Sequence, residues 1–427
     1  MSNTARVLLA LVLGAAIGLV LALWDPALAE RAAAFAQPIG KVWLNALQMT
    51  VVPLVGAMIV TGINTARNAA ATGRTARTAI VVFVVLLALA SALTALLAPA
   101  LLALAPRDPG LVEALRGALA PPEAAAPGAG VGDWLVGVVP SNALAAAAAG
   151  AMLPLVVFSL FFGFALTRID EERRVALLRI VQGVADTMIV IVRWVLLAAP
   201  IGVFALALAV TATVGHGLLA ALLVYIGLLI VMYIITTLLL YPVAVVAGRE
   251  RLGRFASAIA PAQAIAASTQ SSLASLPAML ESARTRLRYG DAVPALVLPM
   301  AVSLFRITSP VQYICVASFL AWAYGIPLDP VTVAGGAALA VVVSMGSVGL
   351  PGQAIFMATN LPVVQAMGLP VAPLGILLAL DTIPDVFATV GNVSGDLTAT
   401  AVVARRHPDV ADAVAGEATS GGDGDLL

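Results

Sequence analysis

Apolar runs of about twenty residues recur along almost the whole chain, and that limits the fold before any single residue is considered. They fall near 6–24, 40–66, 76–105, 134–166, 175–212, 217–247, 292–322 and 372–404. A backbone in lipid has no water to bond to, so only structures that satisfy their own N–H and C=O groups can cross. Of the 427 residues, 62% are hydrophobic and 10% are charged; soluble domains carry about 25% charged residues. The expected fold is all-α and integral to the membrane, with eight transmembrane helices.

Two further apolar stretches, 255–283 and 331–367, break the pattern. Each is interrupted near its middle, by SSLASLP at 271–277 and by SMGSVGLPG at 344–352. Paired interruptions of this kind point to a transporter site, where broken helices offer free backbone dipoles. Arginine placement tests the topology. With the N-terminus inside, the arginines at 6, 67–77, 168–179, 249–254, 284–288 and 405–406 lie on the cytoplasmic side only under one condition. Residues 255–283 must enter and leave on that side, and 331–367 on the outer side. Both are therefore expected to be re-entrant helical hairpins, with both termini cytoplasmic. The first run meets Trp24-Asp25-Pro26 rather than a small-residue cleavage site, so it reads as a span and not a leader. Residues 106–133, rich in Ala, Pro and Gly, read as an outer loop. The tail, ending EATSGGDGDLL, is expected to be disordered.

Composition also excludes function classes. The 22 basic and 22 acidic residues balance, which argues against a nucleic-acid partner. Cys315 is the single cysteine, so no intrachain disulfide or cysteine metal cluster is available. His216 and His407 are too sparse for a transition-metal site or a histidine relay. No nucleophile–base pair or phosphate loop is present, so the chain does not read as an enzyme and no cofactor is expected.

One stretch carries charge where lipid should forbid it. In DTIPDVFATVGNVSGD, 381–396, three aspartates sit in an otherwise spanning segment. On a helix Asp381, Asp385, Asn392 and Asp396 fall within about 60° of one another, with Ala388 and Thr389 on or beside the stripe. Acids at membrane depth need cations, amines or water to meet. The stripe reads as a cation and solute site.

Several motifs, in order along nearly the whole chain, carry a resemblance. PSNALAAAAAGAMLP at 140–154, APIGVFAL at 199–206, the two hairpin tips and NVSGDLTATAVVA at 392–404 are similar to the signatures of the dicarboxylate/amino acid:cation symporter family, the glutamate-transporter homologues. The resemblance implies a homotrimer of elevator-type protomers in a bacterial-type inner membrane. Scaffold helices 1–2 would occupy 1–70 and scaffold helices 4–5 would occupy 134–213. Helix 3 at 71–106 and a core at 214–406 would form the mobile transport domain, with the outer loop at 107–133 and the tail at 407–427.

The resemblance also assigns roles. Ser272, beside Ser271, and Asn392 match the residues that hold a substrate's main-chain carboxylate, and Asp385 the one that holds its amine. Gly349 and Pro351 align at the second hairpin tip. One sodium site matches Asp396 and Asn392 with helix-7 carbonyls near Ser303; another matches the backbone from Ser344 through Met345 to Ser347. Three departures stand against this. The arginine that grips an acidic side chain in aspartate and glutamate carriers is Ala388 here. The NMDGT stretch of helix 7 is Phe305-Arg306-Ile307-Thr308-Ser309, so a sodium-binding aspartate becomes Ile307. The helix-3 hydroxyls that complete that site align with Phe83, Val84, Leu87 and Ala88. Arg306 arrives in the same motif: it either replaces a cation beside Asp396 or Asp385, or reaches a substrate carboxylate, or snorkels to an aqueous rim. The expected function is symport of an amino acid, driven by H+ and/or fewer Na+ than is usual in the family. A sodium-coupled C4-dicarboxylate or acidic amino acid symporter is the alternative, and an anion channel the alternative of another class.

Overall fold

The computed structural model describes residues 3–71, 73–105, 136–214, 217–346 and 352–407. Every regular element among them is helical. Seven helical stretches within these residues are long and apolar enough to cross a membrane, and four further apolar helices have 10–17 residues. This is the composition of a multi-pass membrane protein.

Chain contacts divide the protein into two compact units. The first comprises Met1–Asn64, Ser91–Leu229 and Pro310–Pro384, the second Thr65–Ala90, Ile230–Ser309 and Asp385–Leu427.

In the first unit, several expected spans resolve into pairs of helices. The run near 40–66 is two helices, Pro26–Gln48 and Val51–Ala71. The earlier start has a local cause. Asp25 caps the helix, accepting from the N–H groups of Ala27 at 3.0 Å and Leu28 at 3.1 Å, and Pro26 at the first position needs no partner. Glu30, Arg31, Gln37 and Lys41 lie on its exposed face, which hid the helix from a reading by hydropathy. Ala29, Ala33 and Ala36 form the opposite stripe and pack on Ala205, Leu208, Ala209 and Ala212. The run near 175–212 is also two helices, Glu171–Leu197 and Ala199–Val214, parted at Ala198, with Pro200 unable to donate just beyond. The run near 134–166 is parted at Gly150, whose φ of 66° is left-handed. The first helix, Asn3–Trp24, approaches Ala199–Val214 through Gly14 and Gly18. A Cβ on either would lie 2.5 Å from the Phe204 carbonyl or 2.7 Å from that of Leu208. Small residues four apart let helix backbones meet this closely in lipid. The second interrupted stretch forms two helices in contact, Pro330–Gly346 and Gly352–Ala366.

In the second unit, the first interrupted stretch is a helical hairpin. Leu252–Thr269 ends on Gln270 in the left-handed region, φ 52° and ψ 34°, and Ser272–Glu281 follows. Ser271 caps the second arm, accepting from the N–H of Ala274 at 3.2 Å. That arm has 10 residues, about 15 Å, short of a ~30 Å hydrocarbon core. A five-residue π segment, Ser282–Arg286, closes it. The arms bury Phe255, Ile259 and Met279 with Leu298, and with Val393 and Leu397 of the last helix, Thr382–Arg406.

Packing of this kind predicts which glycines tolerate change. A Cβ on Gly202 would fall 2.2 Å from the Trp43 ring, which is itself pinned by Nε1–H donating to the Val195 carbonyl at 3.1 Å. Gly202→Ala is expected to cost about 1–3 kcal/mol. Gly253→Ala, with nothing within 4 Å, should be neutral or stabilise by up to ~1 kcal/mol. Unfolding midpoints of the two purified variants check this; equal effects would refute the packing.

Candidate functional site

The segment that departs most from the sequence pattern is where a long span breaks. Ala292–Leu304 and Thr308–Tyr324 are separate helices, and Phe305, Arg306 and Ile307 lie between them. Phe305 is extended, with φ −125° and ψ 92°. The opened backbone is still largely satisfied. The Phe305 N–H donates to the Ala301 carbonyl at 2.8 Å and the Ser309 N–H to that of Arg306 at 3.0 Å. The Thr308 N–H turns to the last helix and donates to Asn392 Oδ1 at 3.1 Å. The Thr308 hydroxyl lies 2.9 Å from the same oxygen and 3.2 Å from the Ala388 carbonyl, and it can donate to one at a time.

Two glycines of the last helix make this approach possible. A Cβ on Gly391 would lie 2.7 Å from Thr308 Cγ2, and one on Gly395 would lie 2.9 Å from Ile307 Cγ2. They form a G-x-x-x-G pair, the signal in the sequence for where the break docks.

The last helix brings Asp385, Ala388, Thr389, Asn392 and Asp396 onto its own turns. Ala388, Thr389, Asn392 and Asp396 are buried, and Asp385 is half-buried. Thr389 is spent on its own helix, donating to the Asp385 carbonyl at 2.9 Å. Asp396 is different. It is 0% exposed, and neither carboxylate oxygen has a hydrogen-bond partner among the described residues. Buried carboxylates almost always find donors, so an orphaned one is a candidate site. One position back on the same helix the packing is apolar: Phe305 and Ile307 are buried against Gly395, and Phe305 stacks on Phe83 with centroids 4.8 Å apart and planes 12° from parallel. Leu87, one helical turn from Phe83, is fully buried too. Arg306, half-buried, is the cationic neighbour whose field acts on both Asp385 and Asp396.

Asp381 has helical backbone angles, φ −56° and ψ −30°, and immediately precedes the last helix. It caps the short helix Leu374–Leu380, ahead of Thr382–Arg406, and belongs to the first unit. There the Gln312 side-chain amide donates to it. The last helix begins at Thr382, one residue after Asp381, with Pro384 in its first turn, where a missing N–H is tolerated. Ser303 is half-buried at the end of Ala292–Leu304. Ser271 and Ser272 sit at the tip of the first hairpin, at the positive end of its second arm. Ser344 is buried and Met345 half-buried near the end of Pro330–Gly346. The Met345 carbonyl and Gly346 Cα lie 2.8 Å and 2.9 Å from where a Gly62 Cβ would stand. Ser347, Gly349 and Pro351 lie outside the described residues.

Sequence reasoning missed two contributors. Thr308 occupies the Asn392 carbonyl oxygen, and Gln263 reaches Ser394 Oγ at 2.8 Å, tying the first hairpin arm to the last helix. Neither pairing carries a local sequence signal. A third, the Gly391/Gly395 pair, did carry one.

Thr308→Val keeps the shape and removes the hydroxyl, so one donor to Asn392 is lost. The expected cost is about 0.5–1.5 kcal/mol, with Thr308→Ser near wild type; unfolding midpoints of both variants check it.

The model of the sodium:dicarboxylate symporter family matches residues 4–406. The chain is 27% identical over 408 residues to the proton/glutamate-aspartate symporter of Escherichia coli (strain K12), covering 94% of this chain and 92% of that protein. It is 25% identical over 413 residues to the proton/sodium-glutamate symport protein of Bacillus subtilis (strain 168), covering 94% and 91%. It is likewise 25% identical over 389 residues to the protein of that description from Bacillus caldotenax, covering 88% of each.

Proposed function

The chain belongs to the sodium:dicarboxylate symporter family, and from that premise we propose that it imports an amino acid by secondary-active symport coupled to protons, to fewer sodium ions than the family usually takes, or to both. The observation that carries this reading is the Phe305–Ile307 break. It leaves Arg306 half-buried where its charge acts on Asp385 and Asp396, and it carries Phe305 and Ile307 at positions where the resemblance implies sodium-binding residues. A hard cation is bound by several oxygens at once. Here Asn392 Oδ1 already accepts from Thr308, and Phe305, Ile307, Phe83 and Leu87 offer none. Arg306 supplies fixed positive charge in place of an ion. Protons as a driving species agree with the relatives, described as proton/sodium-glutamate and proton/glutamate-aspartate symporters.

The remaining steps extend the same reading. Asp385 receives the substrate amine. Ser271, Ser272 and Asn392 receive the main-chain carboxylate, with the hairpin helix N-terminus adding its dipole. By the resemblance, Gly349 and Pro351 are further candidates for substrate contact. Sodium, where used, sits on the backbone of Ser344, Met345 and Ser347. The two interrupted stretches act as opposed re-entrant hairpins among eight spanning helices. Each protomer of a homotrimer in the plasma membrane moves a transport domain against a scaffold by an elevator motion, with both termini cytoplasmic. Broken hairpins around a buried charge favour alternating access over a channel.

Ala388 removes the grip on an acidic side chain, which favours a neutral or small amino acid. A second reading has a specific basis. Arg306 reaches a substrate carboxylate from another helix, giving an acidic amino acid or a C4-dicarboxylate, in line with the relatives' described substrates.

Uptake into proteoliposomes separates the couplings. A pH gradient alone is expected to drive accumulation, and steep sodium dependence with no response to pH would contradict this. Asp385→Asn is expected to weaken amino acid affinity about 10- to 150-fold, the loss of a charge-assisted contact of about 1.5–3 kcal/mol. An amine-free analogue should lose little; equal losses would assign Asp385 to the coupling ion instead.

A further inference from the structure

Away from the carboxylate stripe, the second unit holds an open cavity of about 510 Å³ lined by Arg249, Arg288, Arg405 and His407 together with Glu250 and Tyr289. Ligand cavities commonly run from about 300 to 1,000 Å³. Three guanidiniums and one carboxylate give the lining a net positive charge, from three separate chain segments.

Two features distinguish this from a scatter of surface arginines. Arg249 and Arg288 both have φ of 57°, a left-handed backbone uncommon outside glycine, asparagine and aspartate. Such conformations cost free energy and persist where surrounding structure enforces them, often at ligand sites. The enforcement is visible. The Tyr289 hydroxyl donates to Glu250 Oε1 at 2.9 Å, buckling the two left-handed turns together. Burial and the Glu250 carboxylate push the Tyr289 phenol above its ordinary range, so it stays a donor. The Tyr289 N–H also donates to the Ala283 carbonyl at 2.9 Å, and Arg254 Nε to that of Arg286 at 3.2 Å. Glu250 is thereby engaged, while Arg249, Arg288 and Arg405 remain exposed to solvent at the cavity. His407 is held by Thr78 at 2.9 Å, fixing the chain where it leaves the last helix.

We propose that this cavity is an anion site that takes a phosphate group, presented by a phospholipid headgroup or by a soluble phosphate. Guanidinium forks match phosphate oxygens bidentately, and three around one cavity suit a tetrahedral oxyanion better than a planar carboxylate. Occupancy would tie the start and end of the first hairpin to the C-terminal end of the helix that carries Asp385, Asn392 and Asp396. The inference does not depend on which solute is carried.

The test uses the full chain in detergent and in nanodiscs. Inorganic phosphate should raise the unfolding midpoint beyond the effect of chloride at equal ionic strength, or phosphatidylglycerol should be retained over phosphatidylcholine in native mass spectra. The first result assigns a soluble phosphate, the second a headgroup, and either supports the site. Arg288→Asn, whose new side chain tolerates the left-handed backbone, and Arg405→Gln should each weaken that binding by about tenfold or more. Arg406→Gln removes the same charge next to the cavity and should stay within about twofold. If Arg288→Asn does not fold, Arg405→Gln against Arg406→Gln carries the comparison. Neither phosphate nor phosphatidylglycerol binding, or equal losses in Arg405→Gln and Arg406→Gln, would overturn the proposal.

Discussion

A carboxylate buried without a donor is the constraint around which the second unit is arranged. Ionised, Asp396 would cost several kcal/mol unless something positive stands near it. The chain places Arg306 within its field by opening a helix at Phe305–Ile307. That opening is tolerable in lipid because neighbours take up the freed backbone groups, Asn392 answering the Thr308 N–H. The glycines at 391 and 395 then become necessary, since any larger residue would push the opened segment away.

The rest of the last helix shows how unusual Asp396 is. Its hydroxyls return hydrogen bonds to carbonyls one turn back: Thr389 to Asp385, Ser394 to Val390, Thr398 to Ser394, and Thr400 to Asp396. Such internal satisfaction lets a polar helix lie in an apolar setting at small cost. Asp396, with neither oxygen so engaged, stays available for a proton or for the field of Arg306.

Much of this was legible in the sequence where it rested on local pattern. The Ser-, Gly- and Pro-rich interruptions marked the two helix pairs, and the apolar run near 372–404 marked the last helix. Phe83, which the resemblance aligned with the same site as Phe305 and Ile307, stacks on Phe305. Sequence patterning was less informative wherever tertiary partners decide. The short helix Leu374–Leu380 ahead of Thr382–Arg406 was not foreseen as a separate element. Pro26–Gln48 carries charge on its outer face, so the apolar run was read only from about residue 40, although Asp25 and Pro26 are start signals. The bond from Thr308 to Asn392 joins residues 84 apart, and no periodicity reports such a pair.

We propose that Arg306, with Phe305 and Ile307, takes the place of a sodium ion. The most direct test is the number of sodium ions bound per protomer at saturation, in the wild type and in Asp396→Asn. The same number is expected in both, because Asp396 answers to Arg306 or a proton rather than to sodium. Loss of one bound ion in Asp396→Asn, with the fold and solute binding retained, would contradict it.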